Sequence, residues 1–381
     1  MISDKAYKQA KRWVVWIAAL CMVLMIGCSL PIEEESSLSD QMTSKSTDME
    51  NDPADVSAAS ADMSGIPASM VNTSEPLPVA LQQVSDLPSP RIPAKPPRVP
   101  EHYEEPIDYL YGLQSEAAVL LRDGEQICGK DAEKAMYPAS ITKLVTALVA
   151  YDHLDLDEVI GMTEEYISAA FEQDLSIAGF ADGDYVTVRD CFYGLLVPSG
   201  AECAMLLADQ VADSEEEFAV LMNEKAEELG LTASHFTNPY GAHDEEQVIT
   251  ALDAARLLEA VMENPFLREV ISTPVYTAAP SENYPEGLTF HHVIVYYLHG
   301  DTDWPFGGKI YGGKTGTTTP AGKCLVSYSE IGGSTYILAT LGARGEGSGQ
   351  VEDALRVYSR LQERYEPKET RSGVCEVIEM E

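Results

Sequence analysis

The chain of 381 residues is poor in positive charge, with 25 Lys and Arg against 62 Asp and Glu, so its formal net charge is −37. Nucleic-acid binding requires clustered Lys and Arg to neutralise phosphates, and no such cluster occurs beyond the extreme N-terminus. The composition therefore excludes a nucleic-acid partner. It leaves the fold open, because net charge governs solubility and association rather than topology.

Cysteine is also scarce, and none of the seven cysteines forms a Cys-x-x-Cys pair or a zinc-ligand spacing. A metal site is therefore not expected. Four of the cysteines are interpreted as apolar thiols buried in a core rather than as disulfides. These are Cys128, Cys191, Cys203 and Cys324.

Long apolar runs are absent apart from residues 13–26, which fall short of the roughly 20 residues that a transmembrane helix needs. The run follows several lysines and an arginine and precedes Gly27 and Cys28, an order typical of an export signal. Met25-Ile26-Gly27-Cys28 resembles a bacterial lipobox, which implies lipidation of Cys28; an uncleaved signal anchor is the alternative. Either way, we expect an exported protein held at the outer face of the cytoplasmic membrane through its N-terminus.

Composition divides the chain into four parts. Residues 1–28 form the export signal, and residues 29–104 are an acidic, Ser- and Pro-rich linker without helical or strand period. Residues 105–366 carry the periodic patterns of a folded domain, and residues 367–381 form a C-terminal tail.

The order of predicted elements indicates an α+β domain. Apolar strands begin the domain at residues 117–121 and 126–128, joined by an Asp-Gly turn. Helices are predicted over residues 141–154, 188–196, 202–211, 214–229 and 251–262. Two strands, over residues 323–329 and 335–342, and a helix over residues 350–365 close the domain. We therefore expect a sheet assembled from both ends of the chain.

Three short motifs carry groups suited to acyl transfer. In the first, Ser140 and Lys143 lie three residues apart on one helix face, so the lysine amine can reach the serine hydroxyl. The lysine acts as a base only if burial or nearby positive charge lowers its pKa. By itself the spacing is weak evidence, because an N-capping serine gives the same pattern.

The other two motifs follow in order along the chain. Ser199 stands in a Pro-Ser-Gly turn between two predicted helices, where its hydroxyl can relay a proton. Lys314, Thr315, Gly316 and Thr317 enter a predicted strand with a cation, two hydroxyls and a glycine that permits close approach. Such a strand edge suits a substrate with a carboxylate.

The ordered set resembles the signature of penicillin-binding proteins and class A β-lactamases. The stretches around the motifs, from Tyr137 to Leu148, from Leu195 to Gly200, from His235 to Gly241 and from Gly312 to Leu325, are similar to the serine D-alanyl-D-alanine carboxypeptidases. The resemblance implies a β-lactamase/transpeptidase-like fold, in which an antiparallel sheet is flanked by helices and carries an inserted, mainly helical region.

The resemblance also implies the activity. Ser140 would form an acyl-enzyme that releases the terminal D-Ala of peptidoglycan stem peptides, with Lys143 taking the serine proton and Ser199 relaying it. Lys314, Thr315, Gly316 and Thr317 would bind the substrate, and the backbone N–H groups of Ser140 and Thr317 would form the oxyanion hole. No metal or organic cofactor is implied, and β-lactams would act as covalent inhibitors.

Two departures from the family pattern stand out. Ala201 replaces the usual asparagine of the second motif, which leaves open a catalytically weak penicillin-binding sensor. Residues 281–304 contain His291, His292 and His299, and an exposed insertion is expected there rather than a metal site. A β-lactamase is the remaining alternative, but no loop carrying a deacylating glutamate is evident in the sequence.

Overall fold

The computed structural model describes residues 108–365 as a continuous segment. The predicted export signal with Cys28, the linker over residues 29–104 and the tail over residues 367–381 lie outside the described residues, and those parts of the domain division remain predictions.

A five-stranded antiparallel sheet forms the centre, in the order β2-β1-β9-β8-β7. Its strands come from both ends of the domain, as the sequence predicted. They are β1 (Ala117–Arg122), β2 (Glu125–Lys130), β7 (Gly312–Thr318), β8 (Gly322–Ile331) and β9 (Ser334–Ala343). Two small two-stranded sheets lie outside it, formed by β3 (Val159–Gly161) with β4 (Tyr185–Thr187) and by β5 (Val275–Thr277) with β6 (Thr289–His291).

Nine α-helices and one short 3₁₀ helix accompany the sheet within residues 108–365. The 3₁₀ helix is Ala139–Thr142. The α-helices are α1 (Lys143–His153), α2 (Glu164–Glu172), α3 (Val188–Leu196), α4 (Ala201–Asp209), α5 (Glu215–Glu228), α6 (Ala251–Glu263), α7 (Pro265–Val270), α8 (Val293–Tyr297) and α9 (Gly349–Tyr365). The predicted α+β fold is confirmed, with an antiparallel sheet flanked by helices and an inserted, mainly helical region.

Helices cover both faces of the sheet. In β1, Ala117, Val119 and Leu121 belong to the larger core with the inserted helices, whereas Ala118 and Leu120 belong to a second core that includes residues of α9. Successive side chains of a strand point to opposite faces, so an unbroken apolar run is what a strand between two helical layers requires. The buried residues 117–121 of β1 thereby hold the site-bearing helices against the sheet.

Residues 281–304 differ from the expected exposed insertion, because several of their side chains are buried. Phe290, His292 and Ile294 are almost fully buried. His292 is the N-cap of α8, where its Nδ1 accepts a hydrogen bond from the backbone N–H of Ile294. Burial and the nearby charge of Lys314 lower the pKa of His292 to about 3. Residues 281–304 therefore pack partly against the core, which their polar composition did not indicate.

The structure also contains elements that the sequence pattern did not predict, among them α2 and the short helices α7 and α8. The predicted helix over residues 141–154 begins instead as the 3₁₀ turn Ala139–Thr142 and becomes α-helical at Lys143. The four predicted thiols are free, and Cys191, Cys203 and Cys324 are buried as expected, whereas Cys128 is only half-buried. The helices α2, α7 and α8 are short, and each contains too few helical turns for its apolar period to be recognised in the sequence.

Two further properties hold for the described part of the chain. None of the helices between residues 108 and 365 has the length and apolar character needed to cross a membrane. Over the same residues, no group of three or more His, Cys, Asp and Glu side chains is arranged to hold a metal ion.

Asp353 of α9 joins the two ends of the domain and provides a test of this architecture. Its buried carboxylate accepts hydrogen bonds from the backbone N–H groups of Gln114 and Ser115, at 3.0 and 2.9 Å, and from the Ser115 hydroxyl at 2.7 Å. Asp353→Ala leaves these donors unpaired, so we expect the free energy of unfolding in urea to fall by about 3 kcal/mol or more.

Glu352 is the matched control, because its carboxylate accepts an exposed side-chain hydrogen bond from Gln114. Glu352→Ala is expected to cost less than about 1 kcal/mol. Equal losses in the two variants would show that the buried carboxylate does not join the chain ends.

Candidate active site

The first group of the site is the pair formed by Ser140 and Lys143. Ser140 lies within the 3₁₀ turn and is partly exposed, whereas the Lys143 side chain at the start of α1 is buried. The Nζ atom of Lys143 is 3.0 Å from the Oγ atom of Ser140 and donates a hydrogen bond of 2.5 Å to the carbonyl oxygen of Tyr240. A reachable hydroxyl thus contacts a buried amine.

The loop that supplies the Tyr240 carbonyl is fixed by Asn238. The side-chain Oδ1 of Asn238 accepts hydrogen bonds from the N–H groups of Gly241 and Ala242, at 2.8 and 3.1 Å. This local bonding closes a turn around Tyr240 and aims its carbonyl at the amine of Lys143. Lys143 therefore has a fixed acceptor on one side and Ser140 on the other.

The second group of the site is the pair formed by Lys314 and Ser199. The buried Nζ of Lys314 donates to the Oγ of Ser199 at 2.7 Å and to the carbonyl oxygen of Thr315 at 2.9 Å. Lys314 lies on β7 and Ser199 lies in the turn between α3 and α4, 115 residues away in sequence. The bond therefore ties the sheet to the helical insertion.

Glycine allows β7 to pass directly against the turn that carries Ser140. A Cβ atom at Gly316 would lie 2.8 Å from the Pro138 carbonyl oxygen and 3.0 Å from the Ser140 nitrogen. Real side chains do not approach so closely, so only glycine permits this contact. The third motif thereby reaches the first one, and the bond between Lys314 and Ser199 brings the second motif to the same place.

Both serines stand next to or within strained backbone. Ser199 has a φ of 72°, and Ala139, directly before Ser140, has a φ of 47°. Non-glycine residues rarely adopt this left-handed region, and each such residue costs about 1–3 kcal/mol. The strain turns each segment sharply and presents its hydroxyl, at Ser199 and Ser140, to the space between the helices and β7.

Burial dominates the electrostatics of the site. It lowers the pKa of Lys143 to about 7, even though the charge of Glu202 and the thiol of Cys203 act in the opposite direction. Burial and the charge of Lys143 also lower the pKa of Lys314 well below its usual range. An amine with a pKa near 7 is about half in the free-base form at pH 7 and mostly in that form at pH 8, and the free base is the form that accepts a proton.

The remaining predicted residues lie on β7. Thr315 is buried beside Lys314, and Thr317 is exposed at the accessible end of the strand. Ala201 is fully buried as the first residue of α4, where its methyl group offers no polar contact. The structure thus brings all three motifs into one site, with Thr317 at its open edge.

Sequence reasoning missed Glu202, whose carboxylate is fully buried one residue after Ala201. The signal was present, because Glu202 is the only charged residue in an otherwise apolar stretch from Ala201 to Ala208. A lone acid in such a stretch is either exposed or held by specific partners. The Tyr240 carbonyl was also missed, since a backbone acceptor leaves no mark in the sequence.

These contacts suit nucleophilic chemistry. A serine hydroxyl is a weak nucleophile until a base accepts its proton, and the free amine of Lys143 is at hydrogen-bonding distance from it. The adjacent N-terminal end of α1 and the backbone of β7 offer N–H groups to a developing negative charge. The arrangement can therefore form and break an ester on Ser140.

Comparison with known proteins agrees with this chemistry. The sequence profile of the family described as D-alanyl-D-alanine carboxypeptidase matches residues 110–345. A D-alanyl-D-alanine carboxypeptidase of Bacillus subtilis is 28% identical over 239 residues, which are 60% of this chain and 58% of the relative. Another of Mycobacterium tuberculosis is 30% identical over 223 residues, covering 58% of this chain and 72% of the relative.

A solved structure of a Streptomyces DD-transpeptidase variant has a similar fold, with a TM-score of 0.59 and 26% sequence identity. The match covers 65% of this chain and 97% of the Streptomyces chain. The likeness therefore extends over almost the whole of that protein, whereas the match to the Bacillus relative spans only 58% of the relative's length.

Gly241 tests whether the turn at Ser140 depends on its neighbours. A Cβ atom at Gly241 would lie 2.1 Å from the Ala139 carbonyl oxygen, and its φ is 86°. We expect Gly241→Ala to displace Ser140 and to slow its labelling by an acylating reagent about a hundredfold, as a misplacement of 1 Å can do. Intact-mass measurement of the labelled fraction against time gives the rate.

Gly230 is the control, because its φ is 70° but no atom lies within 4 Å of its Cβ position. Gly230→Ala should carry the left-handed backbone cost of about 1–2 kcal/mol without slowing the labelling of Ser140. Labelling of Gly241→Ala at the wild-type rate would refute the dependence on the Gly241 contact.

Proposed function

Because the chain belongs to the D-alanyl-D-alanine carboxypeptidase family of serine peptidases, we propose that it removes the terminal D-Ala from peptidoglycan pentapeptide stems through an acyl-enzyme on Ser140. The proposal concerns the activity of the whole protein and its substrate. Hydrogen bonds from Lys143 to Ser140 and from Lys314 to Ser199, at 3.0 and 2.7 Å, are the observation that supports it most directly.

Acylation begins with proton transfer from Ser140 to the free amine of Lys143. The Oγ of Ser140 attacks the carbonyl carbon of the penultimate D-Ala, and the C–N bond to the terminal D-Ala breaks. The proton held by Lys143 passes, by way of the Ser199 hydroxyl, to the leaving amine, which departs as free D-Ala. Water then hydrolyses the ester and returns the proton to Ser140.

Substrate binding falls to β7. Lys314 gives the site positive charge, and the hydroxyls of Thr315 and Thr317 are suited to the terminal carboxylate of the stem. The peptide lies along the strand edge. The carbonyl oxygen of its penultimate D-Ala, where negative charge develops, accepts hydrogen bonds from the backbone N–H groups of Ser140 and Thr317. The same contacts receive a β-lactam, which acylates Ser140 in place of the stem.

Ala201 favours a second candidate function, a penicillin-binding sensor that turns over slowly. A buried methyl group cannot donate the hydrogen bond that an asparagine would give to the substrate backbone. The loss of one such contact costs about 1–3 kcal/mol, which corresponds to a rate about five- to 150-fold lower. This cost slows acyl transfer without abolishing it, so the carboxypeptidase remains the favoured function.

Reaction with a penicillin tests the nucleophile. We expect intact-mass measurement to show one covalent penicillin adduct on the wild-type protein and none on Ser140→Ala, because no other hydroxyl contacts Lys143 in the described structure. An adduct that persists in Ser140→Ala would reject Ser140 as the nucleophile. Steady release of D-Ala from a D-Ala-D-Ala peptide supports the carboxypeptidase, whereas a stoichiometric adduct without turnover supports the sensor.

We also propose that the protein is exported and tethered to the outer face of the cytoplasmic membrane by a lipid on Cys28. The support is the lipobox-like Met25-Ile26-Gly27-Cys28, and the linker over residues 29–104 is long enough to let the domain reach away from the bilayer. Both features belong to the sequence and lie outside the described residues.

Cys28→Ala tests the tether. We expect the variant to lose the mass of the lipid and to shift from the membrane fraction to the soluble exported fraction, as followed by fractionation and mass spectrometry. The uncleaved signal anchor would be supported instead by two observations together. The wild-type protein would carry no lipid, and Cys28→Ala would stay in the membrane fraction as firmly as the wild type.

A further inference from the structure

Glu202 is a buried carboxylate that the acyl-transfer scheme does not use. It lies in the first turn of α4 and is fully buried. Its Oε1 accepts hydrogen bonds from the backbone N–H groups of Ala178 and Gly179, at 2.6 and 2.9 Å. Its Oε2 is also buried and has no hydrogen-bond partner among the other residues of the described segment. A carboxylate oxygen left without a partner in the interior is costly and calls for an explanation.

The position of the unpaired oxygen relates it to the reaction centre. A Cβ atom at Gly200 would lie 2.9 Å from Oε2, so this oxygen lies against the turn that presents Ser199. The loop that Glu202 holds also touches this turn, because the Ala201 N–H donates to the Ser176 carbonyl at 2.8 Å. Glu202 is therefore built into the wall behind Ser199 and does not face the open side of the site.

The site near Glu202 contains more buried basic groups than buried acidic ones. Two buried amines, Lys143 and Lys314, meet at the centre, and Glu202 is the carboxylate that acts on Lys143. The interaction is mutual: the charge of Glu202 raises the pKa of Lys143, and the charge of Lys143 lowers that of Glu202, against the larger opposite effect of burial on each. An anion in the first turn of a helix is also favoured by the helix dipole.

Other titratable groups around α4 do not supply this charge. Burial raises the pKa of the Cys203 thiol well above its usual value and so favours its protonated form. Tyr284 approaches from the loop before β6 and donates its hydroxyl to the Gly179 carbonyl. At the far end of α4, Asp209 accepts a hydrogen bond from Tyr166 of α2.

We propose that Glu202 is a positioning residue for acylation that does not touch the substrate. The negative charge of its carboxylate helps to hold the serine proton on Lys143. Its Oε1 fixes the loop at Ala178 and Gly179 behind Ser199. When the proton moves from Ser140 to Lys143, the centre gains an ammonium group in a water-poor interior. Glu202 stabilises that ammonium until the proton leaves with D-Ala. The inference rests on the proposed acylation of Ser140.

Glu202→Gln separates the charge from the hydrogen bonds. The glutamine oxygen can accept from the same two N–H groups, so the loop is kept while the negative charge is removed. In the wild type, we expect the rate of acylation by a penicillin to rise with pH about a midpoint near 7, as Lys143 becomes the free base. In Glu202→Gln, the midpoint should move down by about one pH unit, and the high-pH rate should fall about threefold because a weaker base accepts the proton less readily.

Asp184→Asn is the matched control. Asp184 is a buried carboxylate of the same loop, where it accepts the Ala181 N–H at 2.8 Å, but it does not act on the charge of Lys143. Its variant should keep the wild-type midpoint. A Glu202→Gln protein that is folded, is acylated and has the wild-type midpoint would overturn the inference and leave the proposed function intact. Absence of any wild-type adduct would instead refute the proposed function.

Glu202→Asp keeps the inference falsifiable if Glu202→Gln does not fold. The shorter side chain retains the charge but cannot hold both N–H groups at their present distances. We expect lower thermal stability with a midpoint close to that of the wild type. A midpoint that moves down by about a full unit in Glu202→Asp would show that the loop contacts, and not the charge, control Lys143, and would overturn the inference.

Discussion

The burial of two lysine amines in one small site is the constraint on which the rest of the structure depends. Removing a charged amine from water is expensive, so each of the two needs fixed acceptors and at least one must readily give up its proton. Lys143 has Ser140 and the Tyr240 carbonyl, and Lys314 has Ser199 and the Thr315 carbonyl. The same burial that makes the site costly lowers the pKa of Lys143 to about 7 and gives it the properties of a base.

The architecture keeps this arrangement in place by joining distant parts of the chain. The sheet takes β1 and β2 from the start of the domain and β7, β8 and β9 from its end, so the Lys314 strand is fixed before any substrate arrives. Close contacts at Gly316 and Gly241 hold the turn of Ser140 from two sides. The two strained residues, Ala139 and Ser199, persist because this surrounding framework over-determines their conformation.

Glu202 illustrates how a site can extend beyond its motifs. It follows the second motif directly, yet its hydrogen bonds run to a loop more than twenty residues earlier in the chain. In the role that we propose, Glu202 acts on the chemistry through its charge and its packing, and this effect depends on the low effective dielectric of the interior.

The sequence alone determined the α+β class, the longer helices to within a few residues, the apolar strands and the three motifs with their chemistry. These features are local: helical period, strand composition and short spacings are written into neighbouring residues. Residues 281–304 were misjudged, because their polar and aromatic mixture gave no period, and the burial of His292 depends on partners elsewhere in the fold. The short helices α7 and α8 escaped for the same reason.

Only the tertiary structure decided that Lys314 reaches Ser199 across 115 residues, that the Tyr240 carbonyl receives Lys143, and that Glu202 lies behind the site. The pKa of a lysine is likewise not a property of its type, since it follows from how completely the folded chain removes it from water. Sequence therefore specified which groups are present and in what order. Folding set their distances and their protonation, because both depend on contacts between segments far apart in the chain.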